Sequence, residues 1–277
     1  GTETAGSEGY NIAGASYDSK SFSVASQTTS PYGVTFNSAG TKMYVLGNDN
    51  DVIYQYSLST AWDVSSSSYD NVSLNVNAVD AAPLGIQMGD SNTKLYLLGG
   101  VADSIFQYTL STASNLSTAN YDSKSFSVSS QFGSPYGVAF STDGTSFYVA
   151  GITPANVSQY NLSTAWDVST ASYDSTFSSA EGDPFGIAFK PDGTKAYISS
   201  TSTDNVTQYS LSTAWDLSTI SYDNISFSVA SQDANPIDIF FKDDGAKMYI
   251  AGLTSNNIYQ YSTVAYTQTL DLSTGGT

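Results

Sequence analysis

The sequence predicts an all-β fold: a five-bladed β-propeller of four-stranded antiparallel blades, with the ring closed by the N-terminal strand. Three observations predict it. One block recurs five times, with its proline at Pro31, Pro83, Pro135, Pro184 and Pro236, in steps of 52, 52, 49 and 52 residues. Each copy holds short apolar or alternating segments separated by turn signals, the pattern of strands rather than helices. The copies also begin out of phase, on a fourth-strand sequence, so the two chain ends can complete one another. A unit of this length cannot bury its own apolar surface, so copies must pack on neighbours.

The third copy shows the elements in order. Tyr136 to Phe140 is a short apolar run after a proline. Ser141-Thr142-Asp143-Gly144 makes a turn, with Gly144 suited to positive φ. Ser146 to Gly151 is a second strand, and Asn156 to Leu162 a third, alternating Val157, Gln159 and Asn161 against Ser158, Tyr160 and Leu162. The long segment Ser163 to Asp174 leads to a fourth strand near Thr176 to Ser179. That strand is clearer as Ser21-Phe22-Ser23-Val24, Ser125-Phe126-Ser127-Val128 and Ser226-Phe227-Ser228-Val229. Four strands repeated five times describe a propeller. Helical solenoids are excluded by the strand periodicity, and a β-sandwich has no need of near-identical units.

The phase gives the closure. Tyr17 to Ala25 is a fourth-strand sequence that precedes any first strand, and the last copy ends after its third strand, Asn257 to Ser262. The N-terminal strand therefore completes the last blade and removes an exposed edge. Tyr10 to Ser16 aligns with Trp166 to Ser172, which supports this phase. The expected division is a lead-in at residues 1–16, the propeller at 17–262, and a tail or linker at 263–277. Within that tail, Tyr266 to Leu272 is the alternative source of the last fourth strand. Gly1 to Gly9 has no initiator methionine and no basic-then-apolar leader, so an excised domain is expected.

Composition narrows the function. The net charge is -17, and the eight basic residues are all lysine. Nucleic-acid binding leans on arginine and lysine, so it is not expected. An anionic membrane surface would repel the chain, and no apolar run reaches spanning length. There is no cysteine and no histidine, which removes disulfides, thiolate and imidazole metal sites, and histidine-based triads. No cofactor is expected, and the isolated domain is expected to be monomeric.

The block Pro-x-Gly-Val-Ala-Phe-x-x-Asp-Gly-Thr-x-x-Tyr-Val stands as Pro135 to Val149 and nearly intact as Pro184 to Ile198. It resembles the repeat of YVTN/NHL-type β-propellers. The longer signature Gln-Tyr-x-Leu-Ser-Thr-Ala-Trp-Asp, at Gln55, Gln159 and Gln208, is similar to repeats in surface proteins of marine bacteria and in phage tail proteins. The resemblance covers residues 17–262 and implies the fold far more than a function. The Trp-Asp pair invites comparison with WD40 repeats, but their Gly-His partner is impossible here.

Most recurrent motifs read as structure. Trp62, Trp166 and Trp215 recur at one position, with Ser114 in the second copy; identity across blades favours junction plugs over sugar platforms. Asp63, Asp167 and Asp216 are expected to cap turns. The Asp-Gly pairs offer one carboxylate per turn, too few for calcium. Asn48-Asp49-Asn50-Asp51 is denser in oxygens, which makes Asp49 and Asp51 the weak metal candidates, without EF-hand spacing. No metal is expected.

The candidate ligand residues lie where the fourth strand hands over to the innermost one. They are Tyr32, Tyr136 and Phe185, with Asp49, Asp80, Asp183, Asp233 and Asp238 nearby. The loops between second and third strands should rise on the same face and are the most divergent part of the repeat. Asp238 replaces a glycine found at Gly33, Gly85, Gly137 and Gly186, and solvation by channel water is the expected state. The leading expectation is a non-enzymatic binding or display module, extracellular or on a cell or virion surface. Its loops would recognise a glycan or a surface protein. The alternatives are a glycoside hydrolase or lyase using channel-mouth carboxylates, chiefly Asp238, Asp183, Asp233 and Asp80, and a purely structural spacer.

Overall fold

A computed structural model describes residues 9–264. Its strands, in chain order, are β1 (Asn11–Ser23); β2 (Pro31–Phe36), β3 (Lys42–Gly47), β4 (Val52–Leu58) and β5 (Ser67–Asn75); β6 (Pro83–Gly89), β7 (Lys94–Gly99), β8 (Ser104–Leu110) and β9 (Ala119–Ser127); β10 (Pro135–Phe140), β11 (Ser146–Ile152), β12 (Ala155–Leu162) and β13 (Ala171–Ser178); β14 (Pro184–Phe189), β15 (Lys195–Ser200), β16 (Asn205–Leu211) and β17 (Ile220–Ser228); β18 (Pro236–Phe241), β19 (Lys247–Gly252) and β20 (Asn257–Val264). They form five four-stranded antiparallel sheets. Blades 1 to 4 are β2–β5, β6–β9, β10–β13 and β14–β17. Blade 5 is β18–β20 with β1 as its outer strand. The expected five-bladed propeller and its closure by the N-terminal strand are both present. Residues 265–277, and with them the alternative strand Tyr266 to Leu272, lie outside the described residues.

The fourth strands start earlier than the alternation suggested. A short 3-10 turn, Val168–Thr170 in blade 3, leads straight into β13 at Ala171. A bulge then interrupts the register between Gln159 and Tyr160 of the neighbouring strand. Period-2 alternation is legible only beyond such a bulge, which hid the first half of each strand. Asp63, Asp167 and Asp216 cap these 3-10 turns as expected, each accepting the N–H of the serine two residues on.

The recurrent aromatic residues hold the blade junctions. Trp166 donates its backbone N–H to the Gly144 carbonyl, and its ring lies where a Gly144 side chain would stand. Gly144 has φ 70, so a side chain there would also be strained. Trp62 on Gly40 and Trp215 on Gly193 repeat the arrangement. Blade 5 has no tryptophan; Tyr10 takes the place, with its ring on Gly245. From the preceding blade, the hydroxyl of Tyr96 donates to the Trp166 carbonyl at 2.8 Å, and Tyr148 does the same to Trp215 at 2.6 Å. Tyr44 to Ser114, Tyr249 to Trp62 and Tyr197 to Tyr10 complete the ring of five bonds. These five tyrosines are fully buried, so each hydroxyl needs such a partner.

A second ring lies further out. The side-chain oxygens of Gln55, Gln107, Gln159, Gln208 and Gln260 each accept a backbone N–H from the next blade. Four of the five amides donate to an aspartate on their own fourth strand, as Gln55 does to Asp70; Gln159 donates to Asn161 instead. Lysines of the second strands pair with the same aspartates, as in Lys42–Asp70 and Lys247–Asp18. All eight lysines of the chain sit in ion pairs with aspartate. Positive charge in this acidic protein is thus committed to holding strands and turns together.

Candidate functional site

The two mouths of the central channel differ. At the loop-side mouth, Tyr32, Tyr136 and Phe185 converge from three blades. The rings of Tyr32 and Tyr136 stack at 6.4 Å, and Tyr136 meets Phe185 at 4.2 Å. Burial, and the proximity of Tyr136, raise the pKa of Tyr32. The cluster brings three of the candidate residues together.

The loop-side carboxylates bind their own loops. Asp80 is 3% exposed and accepts the N–H groups of Ala82 and Ala102. Asp233, equally buried, accepts the N–H groups of Asn235 and Ser255 and the Ser255 hydroxyl. Asp183 takes hydroxyls from Ser200, Thr201 and Ser202. Asp49 takes the hydroxyls of Thr28 and Thr29 and the Thr29 N–H. Asp51, at φ 56, accepts the Asn77 amide. Asp49, Asp80, Asp183 and Asp233 therefore each tie the loop between second and third strands to the crossover entering that same blade, and Asp51 ties its loop to the crossover entering the next one. Among the described residues no group of three or more such side chains is placed to hold a metal ion.

Asp238 is buried, not solvated by channel water as expected. It lies on β18 at the junction with blade 1, where Oδ2 accepts the Val34 N–H at 2.8 Å and Oδ1 the Ile239 N–H at 2.9 Å. Burial pushes its pKa up to about 7, against the two N–H groups that favour the charged form. The other blades hold glycine here because the next innermost strand comes too close. A Gly186 side chain would meet the Asp238 Cα at 2.7 Å, and a Gly137 side chain would run into the Phe185 carbonyl.

A recess opens at the opposite mouth, among the turns that join first and second strands. Its volume is about 270 Å³, and all five blades line it. Apolar walls come from the ends of the innermost strands, including Phe36, Phe140 and Phe189. The polar lining is uneven. Blade 2 contributes Gln87, Ser91 and the acid Asp90, blade 5 the acid Asp243, and blades 1 and 3 only uncharged polar residues. Burial raises the pKa of Asp243, the neighbouring Asp244 adds to the rise, and Lys242 opposes it. Asp90, Ser91 and Asn92 all hold left-handed backbone, at φ 44, 55 and 67, where the other blades place one glycine. Such conformations are costly and gather at functional sites.

None of the eight candidate residues lines this recess. Asp90 and Asp243 were missed because the turns looked like hairpin chemistry alone. The signal was present: Gly89-Asp90-Ser91-Asn92 lacks the Asp-Gly pair, and Lys242-Asp243-Asp244-Gly245 carries a second acid.

Residues 91–275, about two thirds of the chain, match the family described as lactonase, 7-bladed beta-propeller. Comparison with curated proteins gives no match. Among solved structures, a functionally unknown protein of Desulfotomaculum acetoxidans DSM 771 is similar, at TM-score 0.50 and 14% identity, over 79% of this chain and 62% of that one. A Bacteroides fragilis NCTC 9343 protein, provisionally named a 6-phosphogluconolactonase, reaches TM-score 0.51 at 13% identity, over 80% and 63%. The chain thus spans a little under two thirds of the length of either structure, and likeness at this identity establishes the fold alone. A ring of five blades turns further per blade than one with the seven blades that the family's description names. The family match overturns the expectation of a non-enzymatic display module, because the matching family is named for an enzyme. The expectation that the chain is no enzyme falls with it. The chain belongs to the lactonase seven-bladed β-propeller family, and it builds five blades.

Proposed function

We propose that the protein is a lactone hydrolase whose site is the turn-side recess. The observation that carries this reading is the uneven lining of that recess in a chain of the lactonase family. In a near-symmetric ring only blades 2 and 5 place a carboxylate, Asp90 and Asp243, at this mouth. The blade unit itself we read as YVTN/NHL-like, on Pro135 to Val149. At about 270 Å³ the recess falls just below the usual small-molecule range of roughly 300–1,000 Å³, which suits a ligand of monosaccharide size.

The chemistry asked of the site is modest. Water adds to the ring carbonyl and gives up a proton to the Asp243 carboxylate. The tetrahedral intermediate then expels the ring oxygen, which takes that proton back and becomes the free hydroxyl of a hydroxy acid. A carboxylate whose pKa is raised by burial is a better base than an exposed one. Gln87 and Ser91 carry donors for the carbonyl and for substrate hydroxyls, and the phenylalanine wall takes the ring carbons.

Proton release from δ-gluconolactone, followed by pH-stat, tests the reading. Asp243→Asn should lower kcat by about 100-fold. Wild-type activity should fall on acidification at a higher pH than an ordinary carboxylate would give. Wild-type protein that adds nothing to spontaneous hydrolysis across a panel of five- and six-membered lactones would refute it.

A further inference from the structure

We infer that the turn-side recess selects uncharged lactones and excludes phosphorylated ones. The inference rests on the lactone hydrolase reading and narrows its substrate class. Recognising a phosphate dianion takes guanidinium or ammonium groups, or several convergent donors, because the anion must be stripped of water. This chain has no arginine and no histidine. Each of its eight lysines is already in an ion pair with an aspartate, most of them between strands or across a blade junction.

The two lysines that adjoin recess-lining residues in the sequence are no exception. Lys190 and Lys242 stand on the turns of blades 4 and 5, and they pair with Asp192 and Asp244 at 2.9 and 2.5 Å. The charged residues that do line the recess, Asp90 and Asp243, are both acidic. A dianion would approach a mouth of its own sign on a protein of net charge -17. A neutral polyol lactone meets no such barrier. Its hydroxyls can donate to the carboxylate of Asp90 and the side-chain oxygen of Gln87, and its ring carbons can lie on Phe140 and Phe189.

The test compares δ-gluconolactone with its 6-phosphate. The expected kcat/KM for the phosphorylated lactone is about 100-fold lower, and added salt should narrow the gap. Thr142 lines the recess on an exposed turn, so Thr142→Lys adds a cation without disturbing the core. That variant should raise the ratio of 6-phosphate turnover to neutral-lactone turnover about 10-fold. Equal or faster turnover of the 6-phosphate by the unaltered protein would overturn the inference. If neither lactone is hydrolysed, the hydrolase reading falls, and binding decides the substrate class separately. Calorimetry would then use gluconolactam and its 6-phosphate as stable analogues. Binding of the neutral lactam alone supports the inference; binding of the phosphorylated one, or of neither, overturns it.

Discussion

Blades 2 and 5 both depart from the repeat that blade 3 keeps, and they absorb the departures in different ways. In blade 3, Gly144 holds φ 70 beneath the Trp166 ring. In blade 2, Asn92 holds φ 67 at the same place, and Ser114 stands where tryptophan would be. Removing the ring made room for a side chain on the turn, and Asn92 then bonds Ser38 of blade 1. The turn keeps its backbone bond, from the Ser114 N–H to the Asn92 carbonyl. Two changes inside one blade cancel. Blade 5 departs instead on its innermost strand, where Asp238 replaces glycine and its compensation comes from blade 1 through the Val34 N–H. A turn can change by itself when its own blade changes with it. A junction changes only when its neighbour accommodates it, and here protonation matters as well.

The seam should therefore answer to pH. The folded pKa of Asp238, about 7, lies above the ordinary 3.8, so the folded protein keeps this proton where the unfolded chain has lost it. The stability linked to it is complete below the unfolded value and is lost as pH rises through about 7. The full swing amounts to at most about 4 kcal/mol. Many other aspartates act in the opposite sense, because their pKa values are lowered by pairing and hydrogen bonds. A difference measurement isolates the seam. Between about pH 4.5 and about pH 8, urea unfolding of Asp238→Asn should gain about 2 kcal/mol or more on the wild type. A constant difference would mean that the carboxylate is not buried at the junction.

Transplanting the blade 2 turn into blade 5 should fail. Gly245 has φ 68 and lies under the Tyr10 ring. Gly245→Asn would force that ring away from its place between Tyr197 and Phe241, at a cost of about 3 kcal/mol. A loss under about 1 kcal/mol in thermal or urea unfolding would show that the ring and the turn are not coupled.

The reverse transplant tests whether blade 2 is compensated. Ser114→Trp alone should destabilise by about 2 kcal/mol, since the new ring meets the Asn92 side chain. Adding Asn92→Gly should recover most of the loss. A coupling below about 0.5 kcal/mol in the double-mutant cycle would leave the two positions independent.

How far the sequence discloses this molecule follows from the same contrast. The proline spacing and the alternation of Asn156 to Leu162 were enough for blade number, strand order and ring closure, because a repeat states its packing five times over. The constant tryptophans were legible as junction plugs for the same reason. Tyr10 was visible only as an aligned segment, since a tyrosine does not announce that it stands in for tryptophan. The recess was not legible, because Asp90 and Asp243 sit in turns whose composition already had a sufficient structural explanation. Burial of Asp238 was also hidden. It depends on how closely β18 approaches β2, and that distance is written nowhere in either strand.

Blade 2 also contains a departure left uncompensated, and it can be repaired. The hydroxyls of Tyr56, Tyr160 and Tyr261 each donate to the side-chain oxygen of a glutamine, Gln27, Gln131 or Gln232. In blade 2 the glutamine position is Val79, and the buried hydroxyl of Tyr108 has no partner. Val79 is only half-buried, packed against an apolar core group that includes Leu95, Phe106 and Tyr108, so a longer polar side chain can be accommodated. Val79→Gln should place an acceptor on Tyr108 and add about 1 kcal/mol of stability, even after the apolar packing of the valine is given up. Paired with Tyr108→Phe, which removes the hydroxyl, the gain should vanish. If Val79→Gln instead destabilises equally in both backgrounds, the hydroxyl finds its partner in solvent, and blade 2 has no defect to repair at this position.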